Sequence, residues 1–126
     1  MNILVVEDDA DLRVEIVEYL QRRRHTVTGC GTVAAARRAL ADMVRTSPPD
    51  AAICDVGLPD GDGVRFYLEA APSAPNCHWI LMSGAHDLDR LSRVLKGMAS
   101  LPTVLEKPLP LRVLGSALES GGKPSQ

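Results

Sequence analysis

The stretch Asn2–Asp9, NILVVEDD, decides the fold. Asn2–Val6 is a short, nearly continuous apolar run with no polar alternation, and it breaks off abruptly into three carboxylates, Glu7, Asp8 and Asp9. A run of this kind reads as a strand covered on both faces. Such strands belong to parallel sheets flanked by helices.

Outward from this strand the same rhythm repeats. Thr26–Gly29, Ala51–Cys54 (AAIC), Cys77–Met82 (CHWILM) and Thr103–Leu105 are further strand candidates. Between and after them, apolar residues recur at helical spacing: Leu12, Ile16, Leu20; Val33, Ala36, Leu40, Val44; Val64, Tyr67, Ala71; Leu88, Leu91, Leu95, Met98; and Leu111, Leu114, Leu118. Five β-α units with right-handed crossovers make a doubly wound α/β domain. Ser47-Pro48-Pro49 should end the second helix, Pro59-Asp60-Gly61 should turn after the third strand, and Gly121-Gly122 with Pro124 should close the last helix.

With 126 residues, the chain has room for one domain. We expect it over residues 1–120, followed by residues 121–126 as a flexible tail or the start of a linker. The composition, 45% hydrophobic and 24% charged, is that of a chain that buries a core. Fourteen Lys and Arg against sixteen Asp and Glu leave a net charge of −2, which lacks the basic footprint of a nucleic-acid binder. Any action on DNA is expected to pass through another protein or domain. Acids arrive too early for a signal peptide, and no apolar run reaches the ~18–20 residues of a membrane span, so a cytoplasmic location is expected. Cys30, Cys54 and Cys77 form no CxxC pair and read as reduced, mostly buried thiols. Arg22-Arg23-Arg24 reads as a solvated, dipole-complementing end of the first helix, and Trp79 as packing.

Ligands of open α/β sheets bind outside the carboxyl ends of the strands. The residues there are Glu7, Asp8 and Asp9 after the first strand and Asp55 at the end of the third. Ser83 and Gly84 end the fourth, and Glu106, Lys107 and Pro108 follow the fifth. Glu7, Asp8 and Asp55 at one sheet edge would raise one another's pKa unless a cation lay among them. A hard divalent ion such as Mg²⁺ suits carboxylate oxygens and retained water. Lys107 suits a phosphate oxygen and Ser83 can donate to another. Together they read as a phosphoryl-transfer site, with Asp55 as the natural acceptor. Asp9 reads as a helix cap, and Asp60 and Asp62 as turn formers and caps of the third helix.

Four segments, ILVVEDDADLR at Ile3–Arg13, DVGLPDGDG at Asp55–Gly63, LMSG at Leu81–Gly84 and LEKPL at Leu105–Leu109, resemble those of the receiver domains of two-component response regulators. The resemblance covers residue 2 to about 120. It implies a five-stranded parallel sheet of order 2-1-3-4-5 with five helices. It also implies Mg²⁺ (or Mn²⁺) held by Asp8 directly, Glu7 through water, Asp55, and the backbone carbonyl of Gly57. Asp55 would be the phosphoacceptor, Ser83 the hydroxyl that turns toward the phosphoryl group, and Lys107 the charge-neutralising lysine, joined to Pro108 by a cis peptide. The implied donor is a histidine kinase or histidine phosphotransfer protein. The implied output is a downstream effector protein or an output domain outside this chain, with a phosphorylation-dependent homodimer through the face of the fourth helix, fifth strand and fifth helix among the outcomes. The domain would be no general enzyme, catalysing only its own phosphorylation and slow dephosphorylation.

The chain also departs from the family. Val104 stands where Tyr or Phe commonly serves as a rotating switch, three positions before the lysine. Gly84 replaces a frequent alanine, which loosens the loop, and Gly57 and Ala85 bring no polar side chain to positions that tune phosphoryl lifetime. A phosphorylation-independent interaction module on the same scaffold is the alternative reading. An aspartate-nucleophile phosphatase, which needs an acid where Gly57 stands, ranks below both.

Overall fold

The computed structural model describes residues 1–98 and 101–121. The elements are β1 (Asn2–Val6), α1 (Ala10–Arg22), β2 (Thr26–Cys30), α2 (Val33–Thr46), β3 (Ala51–Asp55), α3 (Gly63–Ala70), β4 (His78–Ser83), α4 (Leu88–Leu95), β5 (Thr103–Glu106) and α5 (Leu111–Gly121). The sheet is parallel with order β2-β1-β3-β4-β5, which is the expected doubly wound topology. Residues 122–126 of the expected tail lie outside the described residues.

Strand alternation divides the core into two layers. Leu4, Val6, Ala52, Cys54, Trp79 and Leu81 face one side, where Ala36 and Leu40 of α2, Phe66 and Tyr67 of α3, and Leu91 and Leu95 of α4 cover them. Ile3, Val5, Ala51, Ile53, Ile80 and Met82 face the other, under Ile16 and Leu20 of α1 and Leu114 and Leu118 of α5. Burial on both faces is why β1, β3 and β4 are continuous apolar runs. Cys54 points into the first layer, where burial pushes its thiol pKa up; a buried, protonated thiol is inert. Trp79 packs edge-on against Phe66 and Tyr67, with ring centroids 5.8 and 5.2 Å away.

Local chemistry places the ends. The Asp9 carboxylate caps α1 by accepting from the Asp11 and Leu12 N–H groups, and the Thr32 hydroxyl caps α2 through the Ala35 N–H. α4 stops at Leu95, short of Met98, because Lys96 turns extended and Gly97 takes a φ of +82°, which only glycine adopts without penalty. The expected turn at Pro59-Asp60-Gly61 is the tip of a short antiparallel hairpin pairing Gly57–Leu58 with Gly61–Asp62.

Of the two acids expected to cap α3, Asp60 and Asp62, only Asp62 does so. Asp62 does cap α3, accepting from the Val64 N–H at 2.9 Å. Asp60 instead reaches across to the start of α2, accepting from the Val33 and Ala34 N–H groups at 2.7 and 3.1 Å. The hairpin turns the Asp60 side chain away from its own helix, a tertiary effect that local sequence does not carry. These bonds hold the Asp60 carboxyl below its ordinary value of 3.8. Its stabilising contribution is therefore complete above about pH 4 and is lost as pH falls through the lowered value. Asp60→Ala should speed amide exchange at Val33 and Ala34, and acid should reproduce that effect in the unsubstituted protein. Unchanged exchange at both amides would refute the cap.

Candidate functional site

The sheet register gathers the charged residues at one edge. Val6 lies beside Cys30 and Cys54, Asp55 beside Met82, and Ser83 beside Glu106, so the carboxyl ends of β1, β3, β4 and β5 finish level. Glu7 continues the line of β1 and donates its N–H to the Cys30 carbonyl at 2.9 Å. Lys107 leaves β5 in the same way, donating its N–H to the Ser83 carbonyl at 2.8 Å. Its peptide to Pro108 is cis.

Side chains then close the site. Lys107 Nζ donates to Glu7 Oε1 at 2.8 Å and to Asp55 Oδ2 at 3.0 Å. The other Glu7 oxygen accepts from the Asp9 N–H at 3.1 Å, and the other Asp55 oxygen from the Gly57 N–H at 3.2 Å. Glu7 is wholly buried, Asp55 nearly so, and Asp8 is exposed. Glu7, Asp8 and Asp55 each offer an oxygen within 4.8 Å of the others. Burial pushes the Glu7 carboxyl up to about 7; Lys107 and the Asp9 N–H pull it back, while the Asp55 charge adds to the rise. Burial works against the Lys107 charge, yet hydrogen bonds to Glu7 and Asp55 outweigh it and raise its pKa.

Three carboxylates face one ammonium here, and every available donor is a hard oxygen. Such a set suits a divalent cation of the Mg²⁺ type, and exposed Asp8 leaves a wet side for the waters that this ion keeps. The residues present fit the group. Ser83 is buried, and its hydroxyl donates to the Gly84 carbonyl at 3.0 Å, turned onto the backbone rather than onto Asp55. Gly84 has ordinary extended backbone, with φ −70° and ψ 159°. Val104 sits beside Leu81 and packs against the layer under α2, α3 and α4.

One residue of the site was missed in the sequence. Gly63 opens α3 against the backbone of Asp55, where an added Cβ would lie 2.0 Å from the Asp55 carbonyl oxygen. Its N–H donates to the Val56 carbonyl at 2.8 Å. A glycine directly before an apolar helical run was the available signal, since a side chain there would otherwise favour the helix.

Comparison with known proteins agrees with this fold. The family model for the response regulator receiver domain matches residues 3–119, and the chain belongs to that family. It is therefore a receiver domain of two-component systems. It is 28% identical over 123 residues to the sensor protein TorS of Escherichia coli strain K12, covering 94% of this chain and 12% of TorS. It is 26% identical over 113 residues to the TorCAD operon transcriptional regulatory protein TorR of Escherichia coli O157:H7, covering 90% of this chain and 46% of TorR. The chain thus spans less than half of either relative. Among solved structures, a response regulator receiver domain protein from Clostridium thermocellum superposes with a TM-score of 0.82 at 23% identity, over 96% of this chain and 93% of that one. The receiver domain of the hybrid histidine kinase CckA gives 0.80 at 19% identity, over 98% and 100%. At these identities the structures speak for the fold. Among the described residues no helix is long and apolar enough to cross a membrane.

Proposed function

We propose that the chain accepts a phosphoryl group on Asp55 from a phosphohistidine of a histidine kinase or phosphotransfer protein. The observation that carries this reading is the single ammonium of Lys107 shared between buried Glu7 and Asp55. An Asp55 carboxylate oxygen attacks phosphorus in line, the new O–P bond forms as the P–N bond breaks, and the electron pair returns to the donor imidazole. Asp55 begins tethered by the Gly57 N–H and by Lys107, which hold its carboxylate in place for attack. Lys107 then follows the charge from carboxylate to phosphoryl oxygen, and Ser83 exchanges the Gly84 carbonyl for a phosphoryl oxygen. Glu7, Asp8, Asp55 and the Gly57 carbonyl would hold Mg²⁺ or Mn²⁺, which when bound supplies charge neutralisation at the transferred group.

The added ~1.5–2 negative charges would then shift the population of conformations toward one read by an effector or an attached output domain. The α4-β5-α5 face is the place where a homodimer would form. The reading takes residues 1–120 as the receiver, 121–126 as a tail or linker start, and the cytoplasm as its location.

Incubation with acetyl phosphate and Mg²⁺ should add the mass of one phosphoryl group, and a chelator should prevent it. An unchanged mass in the presence of Mg²⁺ would overturn the reading. Lys107→Ala removes the side-chain ammonium aimed at the transferred charge and should slow labelling ~10²-fold or more. Measured labelling rates check this.

Val104 favours a second reading, an interaction module indifferent to phosphorylation, because no aromatic ring stands there to rotate. A partner bound equally by wild type and Asp55→Ala would support it. Steady turnover of a general phosphomonoester would point instead to a phosphatase, against which Gly57 stands in place of the required acid.

A further inference from the structure

Arg13 occupies an unfavourable position on α1. It lies in the first turn, where the helix dipole favours an anion, and its N–H makes the opening helical bond to the Asp9 carbonyl at 2.8 Å. Its side chain is nevertheless closely held. Nη1 donates to the Glu7 carbonyl at 2.7 Å. The aliphatic stem runs along Gly29, where an added Cβ would meet Arg13 Cγ and Cδ at 3.6 Å, and the guanidinium lies on Gly31, where a Cβ would meet Nη1 at 2.8 Å. A glycine inside a strand weakens it and marks a close approach of another group. Gly29 in β2, whose added Cβ would meet Val17 Cγ2 at 3.2 Å as well, and Gly31 just beyond the strand together leave room for the Arg13 side chain.

Residue 7 is thereby held from both sides. The peptide entering Glu7 is fixed by the Cys30 carbonyl of β2, and the peptide leaving it, which carries Asp8, is fixed by Arg13 of α1. Among the described residues no group hydrogen-bonds to the Asp8 carboxylate, so its aim depends on the direction of that second peptide. We propose that Arg13 is a positioning residue for the cation site, orienting Asp8 and Glu7 through the Glu7 carbonyl. This rests on the reading of Glu7, Asp8 and Asp55 as cation ligands.

The sign of the effect separates positioning from charge. Removing a positive group near a cation site strengthens cation binding if charge alone matters. Loss of a positioning group weakens it, typically by tenfold or more when the group supports a ligand from behind. Binding of Mn²⁺ alone, followed by electron paramagnetic resonance of the free ion at a temperature where every variant is folded, tests this. Arg13→Ala should weaken Mn²⁺ about tenfold, and Arg13→Lys, with a single donor nitrogen at shorter reach, should recover part of the loss. Gly31→Ala should also weaken it, because its Cβ displaces the guanidinium while keeping the charge. The double variant should bind no worse than the poorer single one, since both act through one contact. In metal-free protein, Arg13→Ala should speed amide exchange at Glu7, whose N–H donates to the Cys30 carbonyl.

Mn²⁺ bound by Arg13→Ala as tightly as by wild type, or more tightly, overturns the proposal and leaves the cation reading standing. Wild-type protein that fails to bind Mn²⁺ overturns both.

Discussion

Asp55→Asn protein treated with acetyl phosphate and Mg²⁺ should gain no phosphoryl group under conditions that label wild type fully. The amide has nearly the shape of the carboxylate but no nucleophilic oxygen anion, so the effect expected is complete loss. The fold should survive. An amide oxygen can still accept from the Gly57 N–H, now 3.2 Å from the carboxylate, and Lys107 keeps its 2.8 Å bond to Glu7. Replacing a carboxylate in a cluster of three also relieves repulsion. A circular-dichroism melt close to that of wild type, beside an unlabelled mass, is the expected pair of results. Asp8 is the rival acceptor, being exposed and within 4.8 Å of Asp55. Asp55→Asn protein that still takes up phosphate would assign the chemistry there.

Gly63→Ala should be the most damaging added methyl among the described glycines. Helix propensity alone favours alanine by up to ~1 kcal/mol in the first turn of α3. Packing opposes it, because the new Cβ would sit 2.0 Å from the Asp55 carbonyl oxygen and 2.9 Å from the Val56 Cα. Both obstacles are backbone, which cannot rotate aside. Forcing α3 off β3 should cost about 3 kcal/mol, the upper range for overpacking, and lower the melting temperature by roughly 10 °C. The obstructed atom belongs to the phosphoacceptor itself, so labelling by acetyl phosphate should slow ~10²-fold as Asp55 is displaced by about 1 Å. Gly57→Ala, where a Cβ meets nothing within 4 Å, should leave the melting temperature nearly unchanged. Equal melting temperatures for Gly63→Ala and wild type would show that propensity wins.

Much of the fold and of the site is legible in the sequence alone. Glu7 and Asp55 follow directly on buried apolar runs, with Asp8 next after Glu7, and a parallel sheet aligns the ends of such runs by construction of its hydrogen bonds. That is why Glu7, Asp8, Asp55, Ser83 and Lys107 are legible as one group from strand ends alone. Asp60 and Gly63 escaped because their partners are remote in sequence: Asp60 caps a helix that begins at Val33, and Gly63 is constrained by a carbonyl eight residues earlier. The partner of Arg13 is six residues back, but the room that holds its side chain comes from Gly29 on β2 and Gly31 just after it.

The amino-acid sequence by itself determined the α/β class, the two-sided burial of β1, β3 and β4, and the residue types at the sheet edge. These follow from local period and from the abrupt passage from apolar residues to charge, properties carried by neighbours along the chain. Only the tertiary structure decided how those charges pair: that one ammonium serves both Glu7 and Asp55, that Asp8 stays exposed, and that Ser83 rests on Gly84. Lys107 lies 100 residues from Glu7 and 52 from Asp55, and contact at such separation depends on sheet register and backbone direction together. Neither leaves a local mark in sequence, because the interaction energies that select them are summed over the whole packed core.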